Sequence, residues 1–268
     1  MAVIKRFSYK DIDAIRVGRL NQGINTSFIL YHLDNTLIDT GPSNQWKYVK
    51  PFVEDKTISQ ILLTHHHEDH SGNAASIAKL TGVTPTSPAL THDIMKRGFK
   101  IPFYQHLLWG KAHKVQTQIH SDTVKLANGE TLTPIHTPGH APDLTCYLLN
   151  ERGWLFSGDL YIANHLKFLR KDEDIPQLLE STRKALAYDF DTIICPHRGV
   201  VEQGKQALQE KYDNIAALCE KSQQLHTAGH SIIEISDKLL GKETFFSYIS
   251  GFKFSKRNLI RSCLQFSG

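Results

Sequence analysis

Long apolar runs are missing from this sequence of 268 residues. Nothing in it approaches the roughly 18 consecutive apolar residues of a membrane-spanning helix, and its start does not read as a secretory signal. Cysteine is scarce: the four residues lie far apart without a Cys-x-x-Cys pair, which indicates buried thiols in a reducing compartment rather than a disulfide framework. These absences predict a cytoplasmic protein that does not enter a membrane.

A strong excess of one charge is also missing. The formal net charge is +4 with a pI near 8.8, which is compatible with anionic substrates or nucleic acid and requires neither. With 40% apolar residues the chain can bury one large core and carry a small appendage. Histidine is what the sequence has in excess, because six of its fifteen histidines stand inside three short motifs.

The pattern along the chain changes from strands to helices near residue 200. Turn-forming pairs such as Asp34-Asn35 separate short β-branched runs, which predicts hairpins, and residues 69–80 have helical spacing. The aromatic-rich segment 85–120 is interpreted as a packing surface rather than a lid. Beyond residue 200, apolar stripes and the capping box from Ser231 to Glu234 predict helices. Predicted strands cover residues 24–33, 36–38, 58–63, 132–136, 146–149, 154–156 and 193–195.

The most informative motif is the heptapeptide at residues 64–70, Thr-His-His-His-Glu-Asp-His. Side chains alternate along an extended segment, so His65 and His67 should point to one side and His66 to the other. Asp69 and His70 fall where the next helix begins and leave the loop in a different direction. The heptapeptide therefore predicts two metal sites side by side, with His66 facing solvent or supporting a ligand.

Three further candidates, His140, Asp159 and His197, each lie just past a predicted strand and beside a glycine or proline that permits a tight turn. Imidazole and carboxylate groups are the ligands that zinc and similar divalent metals prefer. A lone histidine is usually a packed or surface residue. Four motifs in this order predict a metal centre at the rim of the sheets.

The order of these motifs resembles that of the metallo-β-lactamase superfamily, and residues 37–41 (Leu-Ile-Asp-Thr-Gly) look like its early strand motif. The resemblance spans roughly residues 15–200. It implies an α/β fold, a four-layer αββα sandwich, for a catalytic domain at 1–200, and the helical pattern beyond it predicts a small helical C-terminal domain at 201–268. It also implies that His65, His67 and His140 bind one metal. Asp69, His70 and His197 would bind the other, with Asp159 bridging.

Such a site predicts a dinuclear metal-dependent hydrolase. A hydroxide held between two divalent ions is a nucleophile at neutral pH, because coordination lowers the pKa of bound water to about 7. Asp69 is the predicted catalytic residue, which orients the hydroxide and passes a proton towards the leaving group. Zinc is the favoured metal, with iron or manganese as alternatives. A small-molecule thioester, ester or lactone is the favoured substrate.

Two other activities stay open. Some members with a short helical tail cut single-stranded RNA, and Lys253, Lys256, Arg257 and Arg261 are the cations that such an activity could use. Nucleic acid is nevertheless the less favoured partner. The other alternative is a mononuclear iron sulfur dioxygenase, which carries similar motifs.

The tail has two interpretations. It could border the active site through Tyr248, Lys253 and Lys256, or it could cover the sandwich or form a homodimer contact.

The sequence departs from related thioesterases and lactonases at one place: Ala141, Pro142 and Asp143 follow His140, where many members have a threonine.

Overall fold

The computed structural model describes residues 3–20, 26–111 and 113–267. Two β-sheets form its centre. In the first sheet β1 to β4 are antiparallel neighbours, and β4 to β7 are parallel. Its strands in hydrogen-bonded order are β1 (Val3–Tyr9), β2 (Ile12–Gly18), β3 (Phe28–Leu33), β4 (Thr36–Ile38), β5 (Gln60–Leu62), β6 (Thr86–Ser87) and β7 (Gln118–Ile119).

The second sheet has six strands and includes one parallel pair, β11 with β13. Numbered along the chain, its strands are β8 (Val124–Lys125), β9 (Thr131–His136), β10 (Thr145–Leu149), β11 (Trp154–Phe156), β13 (Thr192–Cys195) and β14 (Gly199–Val201), in the hydrogen-bonded order β14-β13-β11-β10-β9-β8. Two short strands, β12 (Leu169–Arg170) and β15 (Phe254–Ser255), form a separate antiparallel ribbon.

Ten α-helices are described. They are α1 (Trp46–Glu54), α2 (Glu68–Ser71), α3 (Ala74–Thr81), α4 (Ala89–Arg97), α5 (Phe103–Trp109), α6 (Ile175–Leu186), α7 (Gly204–Thr227), α8 (Ile232–Leu240), α9 (Phe245–Ile249) and α10 (Lys256–Cys263). Both reciprocal hydrogen bonds of the predicted capping box are present at the start of α8. Among the helices in the described ranges, none has the length and apolar content to cross a bilayer.

The apolar side chains show how the layers stack. Alternate residues of β3 belong to different clusters, because successive side chains of a strand point to opposite faces. Ile29 and Tyr31 pack with Tyr147 of β10, between the two sheets. Phe28 and Leu30 lie in another cluster with residues of α1 and α3. The predicted αββα sandwich is confirmed, with one helical layer outside each sheet.

The tail helices belong to the outer layer of the second sheet. Leu208 of α7 and Leu259 of α10 share a buried cluster with Leu179 of α6 and Ile193 of β13. The predicted helical C-terminal region is therefore present and covers the sandwich. The predicted division after residue 200 falls inside β14, and the domain boundary stays a prediction.

Most predicted strands are present within two residues of their predicted bounds. The strand predicted from residue 24 begins at Phe28: Thr26 and Ser27 are not part of it, and 24 and 25 lie outside the described residues. The single helix predicted over 69–80 is wrong, because α2 and α3 are separated at Gly72 and Asn73. Asn73 donates from its amide to the carbonyls of residues 40–42, and a Cβ on Gly72 would approach the nitrogen of Ser43 to 2.7 Å. This close approach interrupts the helix.

Candidate metal centre

The heptapeptide leaves the end of β5 in an extended conformation and enters α2 at Glu68. Nε2 of His65 and Nδ1 of His67 lie 2.9 Å apart on one side. His66 turns away, and its Nδ1 lies 2.7 Å from Oδ1 of Asp143. The predicted alternation is therefore what the structure shows.

Four side chains form the first group of candidate ligands. Nε2 of His140 lies 3.0 Å from Nδ1 of His67 and 3.1 Å from Oδ2 of Asp159. With His65, these residues could hold one metal ion. The first sheet positions the two heptapeptide histidines, whereas His140 and Asp159 follow β9 and β11 of the second sheet.

The second group consists of Asp69, His70 and His197. Nε2 of His197 lies 3.3 Å from Oδ2 of Asp69 and 3.4 Å from Oδ1 of Asp159, and Nε2 of His70 lies 3.2 Å from the same Oδ1. Asp159 therefore presents Oδ2 to the first group and Oδ1 to the second. All seven residues predicted from the sequence meet at this one place.

The donor set fits divalent metal ions. Imidazole nitrogens on one tetrahedral zinc would lie roughly 3.3 Å apart at ordinary zinc–nitrogen distances, close to the spacing observed in the first group. Nε2 of His70 and Oδ1 of Asp159 are buried, and although they lie 3.2 Å apart, neither makes a well-aligned hydrogen bond among the described residues. Buried polar atoms are costly without a partner, and a metal ion would supply one. The clustered histidines and aspartates thus fit a divalent metal site.

The pKa values divide the histidines into two kinds. Burial, together with neighbouring cationic groups, holds the pKa of His65 and His67 well below the ordinary value, so both imidazoles are neutral and able to bind a metal. Burial would also lower the pKa of His70 and His140, but Asp159 and other carboxylates raise it, to about 10 and about 9. The carboxylates therefore make the centre attractive to a cation, which would displace these protons.

Each of three ligand histidines has an acceptor for its second ring nitrogen. Nδ1 of His70 lies 2.7 Å from Oδ2 of Asp39, and Nδ1 of His140 lies 2.6 Å from Oε1 of Glu173. Nδ1 of His197 lies 3.0 Å from the carbonyl of Ser27. Such acceptors fix the tautomer that leaves Nε2 free for a metal and hold the ring in place.

Sequence reasoning assigned no role to Asp39 or Glu173. Asp39 belongs to the early strand motif that was recognised, and it adopts a left-handed backbone (φ 56°), a conformation that clusters at functional sites. It also accepts hydrogen bonds from the backbone nitrogen and the hydroxyl of Thr64, at 2.8 and 2.9 Å. Glu173 stands in a polar stretch with no local pattern, so no signal in the sequence distinguished it.

The departure after His140 has a structural explanation. The buried carboxylate of Asp143 accepts from the backbone nitrogen of His66 at 2.8 Å and from the hydroxyl of Thr91 at 2.8 Å. Together with the contact to the His66 ring, these bonds fasten the heptapeptide to the second sheet. His66 therefore supports the loop and is not a member of either ligand group.

A cavity of about 970 Å³ opens above the ligands. His67, Asp69, His140, Asp159 and His197 lie on its surface. Most of the remaining side chains around it are apolar or aromatic, among them Trp109, Leu166, Phe168, Leu178, Phe246 and Phe254. Apolar lining with a few convergent polar groups is typical of small-molecule sites.

The tail reaches this cavity, but through residues other than those expected. Phe246 and Phe254 line it, whereas Tyr248 does not. The ammonium of Lys256 caps α8 by donating to the carbonyls of residues 240–242. Lys253 lines a neighbouring groove. Phe246 and Phe254, which were not among the expected residues, form the border.

Comparison with known proteins identifies the family to which this architecture belongs. The family model described as the metallo-beta-lactamase superfamily matches residues 21–197. A beta-lactamase domain protein from Burkholderia ambifaria has a similar structure, with a TM-score of 0.75 and 16% identity over 97% of this chain and 87% of that one. A metallo-beta-lactamase family protein from Thermus thermophilus gives a TM-score of 0.68 at 16% identity, over 96% and 91% of the two chains.

Relatives with named activities match only in part. The thioesterase pkgB of Emericella nidulans is 35% identical over 52% of this chain and 36% of its own length. An atrochrysone carboxyl ACP thioesterase from Passalora fulva is 25% identical over 83% of this chain and 66% of its own length. This chain thus matches between about a third and two thirds of these relatives. From the family match and the shared fold, the chain belongs to the metallo-beta-lactamase superfamily.

Proposed function

We propose that this protein is a dinuclear metal-dependent hydrolase of thioesters that carry an apolar acyl group. One observation carries the proposal: two ligand groups that share Asp159 lie at the surface of a largely apolar cavity. The names of the thioesterase relatives support the thioester bond as the one cleaved.

His65, His67 and His140 would hold one ion, and Asp69, His70 and His197 the other, with Asp159 between them. Zinc fits this nitrogen and oxygen donor set best. Two such ions, when bound, lower the pKa of coordinated water towards 7 and polarise the acyl oxygen.

Asp69 is the group proposed to move protons. Burial would raise its pKa, but His70 and His197 lower it, so the carboxylate stays ionised. Asp69 lies on the cavity surface, where it can accept the proton of the attacking water. As the oxygen of that water bonds to the acyl carbon, the carbon–sulfur bond breaks, and Asp69 returns the proton to the leaving sulfur.

The apolar wall of the cavity is the reason for proposing an apolar acyl group. Trp109, Phe168 and Leu178 present hydrocarbon to the cavity, and burying apolar surface stabilises binding by about 25 cal/mol per Å². Acyl chains that reach this wall should therefore bind more tightly than acetyl groups.

RNA cleavage has weaker support. Of the four tail cations that favoured it, Lys256 caps a helix, Arg257 approaches Glu243 at 3.9 Å, and Arg261 donates to Asn258. Only Lys253 points to a groove beside the centre. The complete second ligand group likewise favours two ions over a single iron.

The test is a panel assay with the zinc-loaded protein. Acetyl, hexanoyl and decanoyl thioesters, matched oxygen esters, a lactone and single-stranded RNA would be compared. We expect kcat/KM to be highest for the decanoyl thioester and to be lost in His65→Ala. Faster RNA cleavage, or oxygen consumption with a thiol substrate in the iron-loaded protein, would contradict the proposal.

A further inference from the structure

A second concavity, of about 520 Å³, adjoins the metal centre. It shares several residues with the apolar cavity, so the two lie side by side along the heptapeptide. The shared residues are His67, Glu68, Tyr104, Gln105, Arg170 and Phe254. His67 of the first ligand group thus lies at the boundary between the two.

Net charge distinguishes this concavity from the cavity, whose lining has as many anionic as cationic side chains. The lining of the concavity includes two anions, Glu68 and Asp172, and more cations than anions. We call it the basic groove, after its four cations Lys100, Arg170, Lys171 and Lys253.

Backbone pairing holds three of these cations together. Arg170 ends β12, which pairs with β15, and the nitrogen of Lys171 donates to the carbonyl of Lys253 at 2.8 Å. Asp172 binds Nε and Nη2 of Arg170, at 3.0 and 2.5 Å. Tail and catalytic core thus meet at this ribbon, and each contributes charge to the groove.

The lysines of the groove have no partner in the part of the chain that the structure describes. Within the described ranges, the ammonium groups of Lys100, Lys171 and Lys253 make no hydrogen bond and no ion pair, and all three side chains are exposed. By contrast, the ammonium of the buried Lys211, beside the same centre, donates to the carbonyl of Leu160. Unpaired lysines on a concave surface are suited to a phosphate group.

We propose that the basic groove binds the phosphate of a phosphopantetheine thiol, so that the acyl half of the thioester lies in the apolar cavity and its sulfur lies at the metal centre. This inference rests on the proposed function. An acyl thioester of this kind has an apolar half and an anionic half, and the two concavities offer the matching surfaces on either side of His67. RNA would present phosphates to the groove but would leave the apolar cavity without a matching ligand.

Two substrates that differ in one group test the proposal. S-decanoyl phosphopantetheine and S-decanoyl pantetheine have the same acyl chain and thioester, and only the first carries phosphate. We expect the zinc-loaded protein to show a KM at least about tenfold lower for the first, the effect of one charge-assisted contact. In Lys171→Gln/Lys253→Gln the ratio of the two kcat/KM values should fall towards one.

A matched control separates this effect from a general loss of charge. Lys221→Gln/Lys238→Gln removes two exposed lysines of the tail helices and should keep the phosphate preference. Decanoyl-CoA and decanoyl carrier protein, which both contain the phosphorylated arm, complete the assay. The groove variant should raise KM for both, and the lower of the two values identifies the natural source of the arm.

Three results would overturn the inference. These are equal kcat/KM values for the two substrates in the unaltered protein, a phosphate preference that persists in the groove variant, and loss of RNA binding in that variant with thioester kinetics unchanged. Failure of the proposed function looks different, because then neither decanoyl substrate would be hydrolysed.

Discussion

At the scale of single residues, Asp159 connects the two halves of the metal centre, with one carboxylate oxygen in each. We predict that Asp159→Ala lowers kcat by about a thousandfold or more, because the metal ions then no longer stabilise the negative charge of the transition state. Elemental analysis should show the variant losing at least part of its metal.

His66→Ala is the control for this prediction. His66 belongs to neither ligand group and its Nδ1 faces Asp143, so its removal should leave the metal content of the protein intact. Equal metal loss in the two variants would show that Asp159 is no more important for metal binding than His66.

Glu173 contacts the ring of His140, and we predict that it supports metal binding through that ring. In Glu173→Gln the charged acceptor 2.6 Å from Nδ1 becomes a neutral amide, and the loss of such a partner lowers metal affinity by about 10–100-fold. Competition with a chromophoric chelator measures this affinity. Glu180→Gln, the same change on an exposed position of α6, should leave it unaltered. An unchanged affinity in Glu173→Gln would contradict the assigned role.

At the scale of elements, α6 positions the loop that carries His140. Gly139 has φ +126°, and a Cβ there would approach the backbone nitrogen of Leu178 to 2.5 Å. Gly139→Ala should therefore push the loop away from α6, displace His140 and lower metal retention.

Gly129→Ala provides the comparison, since Gly129 has φ +92° but nothing within 4 Å of its Cβ position. Each variant should lose about 1–2 kcal/mol of stability from backbone strain. Only Gly139→Ala should also release metal, measured by elemental analysis after dialysis. Metal loss in both would mean that strain alone, and not the contact with α6, is responsible.

At the scale of the whole molecule, the metals would join the two sheets. His65, His67, Asp69 and His70 follow β5 of the first sheet, whereas His140, Asp159 and His197 follow strands of the second. Bound metal stabilises only the folded chain, by about 4 kcal/mol when its free concentration is a thousand times Kd.

We therefore predict that chelation lowers Tm and that added zinc restores it, as measured by scanning calorimetry. In Asp159→Ala the chelator should change Tm much less. A chelator-insensitive Tm in a protein shown to hold metal would rule out this stabilising role.

The sequence by itself determined which residues form the centre. Alternation in the heptapeptide places His65 and His67 on one side, and tight turns after strands present His140, Asp159 and His197, so local rules are sufficient. The strands β1 and β2 were not predicted, because their apolar residues do not alternate regularly: Val3 and Ile4 are adjacent in the first, and Ala14 and Ile15 in the second. The tail helices were predicted because caps and apolar stripes are local signals.

Only the tertiary structure decided what surrounds those ligands. The partners of His70 and His140 are Asp39 and Glu173, which lie 31 and 33 residues away in the chain, and no local pattern encodes such a pairing. The ribbon between Arg170 and Phe254 brings the tail to the cavity through a contact across 84 residues. The candidate ligands of a short motif can be predicted from the sequence. The cavity and the basic groove cannot, because they depend on how distant segments pack.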